Sequence, residues 1–282
     1  MSAFSRILFL FGSACALLAC KSYYPTPSNA LSVESLMILP DALAETSGLY
    51  CDSDHMLSLN DSGNAPVLFK IDFNGNIIQQ LPLAITNKDW EAVTADNTHY
   101  FIADVGNNGG KREQVEVYKI NRQDLNDITL LKLSYVGNTI TGNTPYAHDF
   151  DSEAMVKKGS ELLLFSKSWR TGITHIYTID EQMAEQHISP IADIKGLPGV
   201  VTGADFDTTR NVFVITGYKS DPFGNFEAFI AQVAPDFSII NIWPLETYKQ
   251  VEGVCVDKKG QYWFSEEATK GRPASLSQAS VN

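Results

Sequence analysis

The segment Asp89-Trp90-Glu91-Ala92-Val93 returns as Asp151-Ser152-Glu153-Ala154-Met155 and again as Gln250-Val251-Glu252-Gly253-Val254. A chain that repeats a short motif at intervals of several tens of residues is assembled from equivalent units, which restricts its fold severely. Aligning on the recurring position gives five copies, at Ser47, Glu91, Glu153, Thr202 and Glu252, separated by 44, 62, 49 and 50 residues. Each recurring residue is followed by Gly or Ala, then by a polar turn and an apolar strand such as residues 100–105 or 161–167. That pattern predicts five β-hairpins.

Four copies continue into a third strand, over residues 66–75, 115–121, 174–180 and 227–234. Weaker fourth strands follow over residues 76–84, 130–136, 188–194 and 239–246. Alternation and β-branched or aromatic content carry these assignments. Four strands per copy make a propeller blade, so the chain is expected to be all-β, a five-bladed β-propeller. Too few residues follow Glu252 for four good strands, whereas residues 32–40 precede the first copy as a spare strand. Lending that N-terminal strand to the last blade closes the ring and removes exposed edges. The longest interval contains residues 136–150, either an insertion or a degenerate strand pair, so six blades stays open. Helix is expected at most as one or two turns over residues 180–187.

The ordered motif set, "ETSGL…NDSG", "DWEAV…ADVGNN", "DSEAM…SK", "VTGAD…TGY" and "VEGVC…SEE", spans about residues 44–270. It resembles a bacterial family of secreted or lipid-anchored propellers, named for similarity to esterase-like or phytase-like domains and to SdiA-regulated proteins. The resemblance implies the fold but transfers no settled reaction or substrate. It departs from that family in "GNNGG" where an acidic "GDN" is usual, so no metal role carries over to Asn107.

Residues 1–19 hold one Arg and an apolar run too short to span a bilayer, which reads as a signal peptide. The run ends in Leu17-Leu18-Ala19-Cys20, resembling a lipobox, and Cys20 is the expected lipidation site. An ordinary cleaved signal with an incidental cysteine is the alternative. Residues 20–30 form the lipidated Cys and tether, and residues 31–282 a single propeller domain. Lys21, where a retention aspartate would stand, directs the placement to the outer membrane of a Gram-negative cell, facing the periplasm. Lys and Arg total 21 against 33 Asp and Glu, a formal charge of -12, which disfavours nucleic acid as a partner. Cys51 and Cys255 remain after export. An oxidising compartment permits a bridge between them, but two sequence positions fix no geometry, and free buried cysteines are the simpler expectation.

Inner strands line the channel of a propeller, and alternate residues share a face, so Glu91, Glu153 and Glu252 are expected to converge there with Asp89 and Asp151. Convergent carboxylates demand raised pKa values or a cation, and Ca²⁺ with hard oxygen ligands is the candidate cofactor. The competing reading is structural: a glutamate in each blade caps the neighbouring strand. Variable groups at the ends of the second strands suggest a ligand rim of Asp61, Asp104, Asn107, Lys167, Tyr218 and Glu266. A mouth that binds a small molecule or protein, with the membrane held through the lipid, is the first functional expectation. A metal-dependent hydrolase of phytase-like, esterase or lactonase type using the channel carboxylates is the second. The chain has no G-x-S-x-G, and Ser62 is expected in a turn. His55 and His99 are expected to be solvated, and only His148 stands near the motif.

Overall fold

Five sheets form five blades around an axis in the computed structural model, which describes residues 29–221 and 224–282. The innermost strands are Thr46–Cys51, Trp90–Ala95, Ser152–Lys158, Val200–Asp207 and Val251–Val256, one from each repeat. The first four blades run outward in chain order, as expected. The last is completed by Leu31–Ile38, which pairs antiparallel with Ser275–Val281 and matches Leu31 to Val281. The predicted closure by the N-terminal strand is therefore present, and the number of blades is five. The signal peptide, Cys20 and the tether up to residue 28 lie outside the described residues.

Three local expectations change. Residues 136–151 are an insertion with a short 3-10 turn at Ile140–Gly142, which removes the six-blade alternative. Residues 180–187 form no helix; Glu185–Ile188 is a strand that pairs parallel to Ile128–Tyr135 and widens the second blade to five strands. The fourth strand of the third blade is consequently only Ala192–Ile194.

Each junction between blades has its own apolar core. Phe165 and Ile176 of the third blade meet Phe213 and Ile215 of the fourth, and Met56 and Ile71 of the first meet Trp263 and Leu276 of the fifth. Sheet faces that bury apolar side chains on both sides supply the dominant stabilisation. At the junction of first and last blades Cys51 and Cys255 form a disulfide, with Cα atoms 5.4 Å apart across 204 residues of sequence. The expectation of free cysteines is thus corrected: the ring brings two distant inner strands side by side.

Candidate functional site

The five recurring residues share a local distortion. The register of the inner strand slips at Thr46/Leu49, Trp90/Ala92, Ser152/Ala154, Val201/Gly203 and Val251/Gly253, so Ser47, Glu91, Glu153, Thr202 and Glu252 all lie in β-bulges. A bulge re-aims one side chain without ending the strand. The Gly or Ala that follows is required by the narrow axis. A Cβ on Gly48 would meet Val93 N at 2.7 Å, and one on Gly253 would meet Leu49 Cβ at 2.7 Å. Repetition of the small residue is scaffold; repetition of the polar one has to be judged from its partners.

Ser47 and Thr202 do cap neighbouring blades. The Ser47 hydroxyl donates to Glu91 O at 3.1 Å, and Thr202 Oγ1 donates to Val251 O at 2.5 Å. The glutamates have side-chain partners at the channel. Glu91 Oε2 accepts from Ser47 Oγ at 3.0 Å, Glu153 pairs with the ammonium of Lys167, and Glu252 has Gln250 and Tyr218 beside it, which oppose the upward shift that burial gives its carboxyl. Lys167 Nζ also lies 3.2 Å from the Tyr218 hydroxyl. One buried ammonium thus stands among three buried glutamates.

Above this floor opens a cavity of about 1020 Å³, lined by Glu45, Asp61, Asp89, Tyr146, Trp169, Phe226 and Glu267 together with the floor residues. Its walls come from equivalent positions. In four blades a residue just past the second strand donates its N–H to the residue two before the bulge: Asp61 to Glu45, Gly106 to Asp89, Lys167 to Asp151 and Glu267 to Gln250. Gly106 has no side chain because the carboxylates of Asp89 and Glu91 both occupy the space its Cβ would fill. Two carboxylates therefore converge on one point of backbone.

Electrostatics follow from that crowding. Burial, then Glu45, Asp89 and Glu252, push Asp61 up to about 7. Burial, then Glu252, Asp61 and Glu45, push Glu267 up to about 8. Burial and then Glu153 and Asp89 drive Glu91 well above the carboxylate range. Burial alone would lower Lys167, but Glu153, Tyr218, Glu252 and Glu91 outweigh it and keep the ammonium charged. Three glutamates around one ammonium cannot all ionise freely. Burial, with Glu252 and Asp151, drives Glu153 upward as well, but the Lys167 ammonium that it touches opposes the shift, and Glu91 has no such contact.

Of the rim residues expected from sequence, Asp61, Lys167 and Tyr218 do line the mouth. Asp104 and Glu266 do not. Asp104 Oδ2 accepts from Lys88 N at 2.9 Å and Oδ1 pairs with Arg112 at 2.7 Å. Glu266 Oε1 accepts from Lys249 N at 2.7 Å and Oε2 pairs with Arg272 at 2.9 Å. Glu266 sits one position before Glu267, which faces the cavity, and alternate strand residues point opposite ways; Asp104 is followed by Val105, which is buried in the apolar core. Asn107 is likewise consumed: its amide donates to Phe150 O at 2.8 Å and its carbonyl oxygen accepts from Arg112 N at 2.9 Å. Sequence reasoning missed Glu267 and Tyr146 as lining residues. The first is recoverable from the alternation; the second lies in an insertion with no repeat to align.

His148 and His55 are held in local hydrogen bonds. His148 Nδ1 accepts from Phe150 N at 3.1 Å, leaving Nε2 to donate to Asn108 O at 3.3 Å. His55, expected to be solvated, is buried, with Nδ1 2.7 Å from Asp54. Asp151 serves Trp169, accepting from its indole N–H at 2.9 Å. Among the described residues, no cluster of three or more His, Cys, Asp or Glu has an arrangement able to hold a metal ion.

No family model and no curated protein matches the chain. Among solved structures it is similar to the PQQ-bound aldose sugar dehydrogenase of Streptomyces coelicolor, 8% identical over 92% of this chain and 100% of that one, with a TM-score of 0.54. A virginiamycin B lyase from Staphylococcus aureus is 10% identical over 90% of this chain and 100% of that one, with a TM-score of 0.44. A luciferin-regenerating enzyme is 8% identical over 89% and 95%, with a TM-score of 0.48. At 8% identity the likeness to the dehydrogenase bears on architecture alone.

Proposed function

We propose that the protein is an exported, lipid-anchored propeller whose mouth binds a positively charged ligand. The supporting observation is the charge of the cavity: its lining includes eight carboxyl side chains and two lysines, and one of those lysines is already paired with Glu153. Such a lining attracts cations and repels anions. Burying the glutamates costs stability. Ser47 and Thr202 fill the same bulge without that cost, so the fold itself does not need a carboxylate there. Ca²⁺ belongs to the proposed ligand class, but the Lys167 ammonium among the three glutamates favours a larger cation seated above them.

Export is supported by the apolar N-terminus ending at Cys20 and by the disulfide, which suits an oxidising compartment. Acyl labelling of wild type and its loss in Cys20→Ala test the anchor. Thermal shift at low ionic strength tests the ligand class. Spermidine, tetramethylammonium or Ca²⁺ should raise the melting temperature by mass action, while inorganic phosphate should not. Stabilisation by phosphate and by none of the cations would sink the reading.

A second reading, hydrolysis, draws on the proximity of Asp61 and Glu267, raised to about 7 and 8, to carboxylates able to act as bases. Neutral esters or lactones fit the acidic lining better than the phosphoesters that the phytase-like resemblance suggests. Turnover of an ester and lactone panel, with and without chelator, and its loss in Asp61→Asn would support this alternative.

A further inference from the structure

The mouth has two unlike halves. Blades five, one and two contribute Glu267, Glu45, Asp61 and Asp89, whereas blades three and four face them with Trp169, Tyr218 and Phe226, beside Lys219 and Asp221. Tyr146 joins the aromatic side from the 136–151 insertion. Its backbone sits at φ 55°, in the left-handed region that a bulky aromatic seldom adopts, and its N–H donates to Asn108 O at 3.0 Å. Strained residues of this kind persist where the surroundings determine them and cluster at ligand clamps. The result is a ring 62% exposed to solvent that meets Trp169 nearly edge-on, with centroids 5.2 Å apart and planes at 86°. Trp169 is fixed from behind by Asp151 and from below by Lys167, whose Nζ lies 4.9 Å from the ring centre.

We infer that the ligand is an organic ammonium carried on an apolar or aromatic body, whose body lies against Tyr146 and Trp169 while its charge faces the acidic half. The inference rests on the cationic-ligand reading above. A bare metal ion would use only the oxygen ligands of one half. A neutral polyol would use the aromatic wall and leave the carboxylates uncompensated. An ammonium with an apolar body satisfies both halves, since aromatic faces attract cations and apolar groups together. The cavity, about 1020 Å³, has the size of sites that enclose small organic molecules.

Calorimetric titration of the mature chain at pH 8.5 and low ionic strength tests this, using benzyltrimethylammonium, tetramethylammonium and benzyl alcohol. Benzyltrimethylammonium should bind at least about tenfold more tightly than tetramethylammonium, and Tyr146→Ala should weaken it about three- to tenfold while leaving tetramethylammonium unchanged. Tyr146 is largely exposed, so the variant should fold; its melting temperature is the control. Equal affinity for the two ammonium ions, or no effect of Tyr146→Ala, overturns the aromatic wall but leaves the cationic mouth standing. Benzyl alcohol binding as tightly as benzyltrimethylammonium, or no binding of either ammonium, overturns both.

Discussion

Glu91 and Glu153 occupy equivalent bulges, yet their neighbours give them different energetics. Glu153 is half of a buried ion pair, and breaking such a pair leaves an uncompensated charge. Glu153→Gln should therefore destabilise by about 3–5 kcal/mol in chemical denaturation, and adding Lys167→Met should recover most of that loss. Glu91 has only a hydroxyl donor, and burial raises its carboxyl well above the ordinary range. A raised carboxyl contributes stability at low pH that is lost as pH rises through the folded value. Glu91→Gln mimics the protonated form, so it should match wild type near pH 4, below the unfolded value, and exceed it by a growing margin as pH rises through neutrality. Equal losses from both glutamine variants at every pH would return the glutamates to the scaffold. The sequence exposed the recurring position because repetition is visible without coordinates. It did not distinguish Glu266 from Glu267, since the side chain that faces the mouth depends on a register offset by a bulge.

Strands were legible where alternation was strong, and obscure where polar residues filled the pattern. Ser275–Val281, with four serine or glutamine side chains, is the third strand of the last blade and carries little apolar signal. The parallel strand Glu185–Ile188 was hidden because it serves a blade other than the one it follows in sequence. The closing strand Leu31–Ile38 is legible in the sequence, since a ring that lacks one strand must find it at the other terminus. Deleting residues 31–38 should expose Ser275–Val281 as an edge, lower the melting temperature and promote association measurable by light scattering. A monomeric protein with an unchanged melting temperature would contradict that role. The disulfide fastens the same junction from the inner side. Its loop of 204 residues is long, and Cys51→Ser with Cys255→Ser should cost about 2–5 kcal/mol. Strand pairing was inferable from pattern, whereas the bridge was not, because ring closure alone decides which inner strands touch.

At the scale of the molecule, the ring concentrates acid at one end of its axis. Asp61, Glu267 and the interior Asp205 are raised to about 7, 8 and 7, all chiefly by burial. Each binds a proton more tightly folded than unfolded, so stability should fall as pH rises from about 5 towards 8 and beyond. Asp61→Asn with Glu267→Gln should flatten that slope, leaving the share due to Asp205 and the glutamates. The same protons compete with a cationic ligand, which prefers the ionised mouth. The central claim is that this acidic mouth binds cations, and a calorimetric titration of spermidine tests it most directly. Wild type should bind more tightly at pH 8.5 than at pH 6, and weaken with added salt; the double variant should bind at least about tenfold less tightly at pH 8.5. Affinity that is the same in wild type and double variant, and indifferent to pH, would contradict the account.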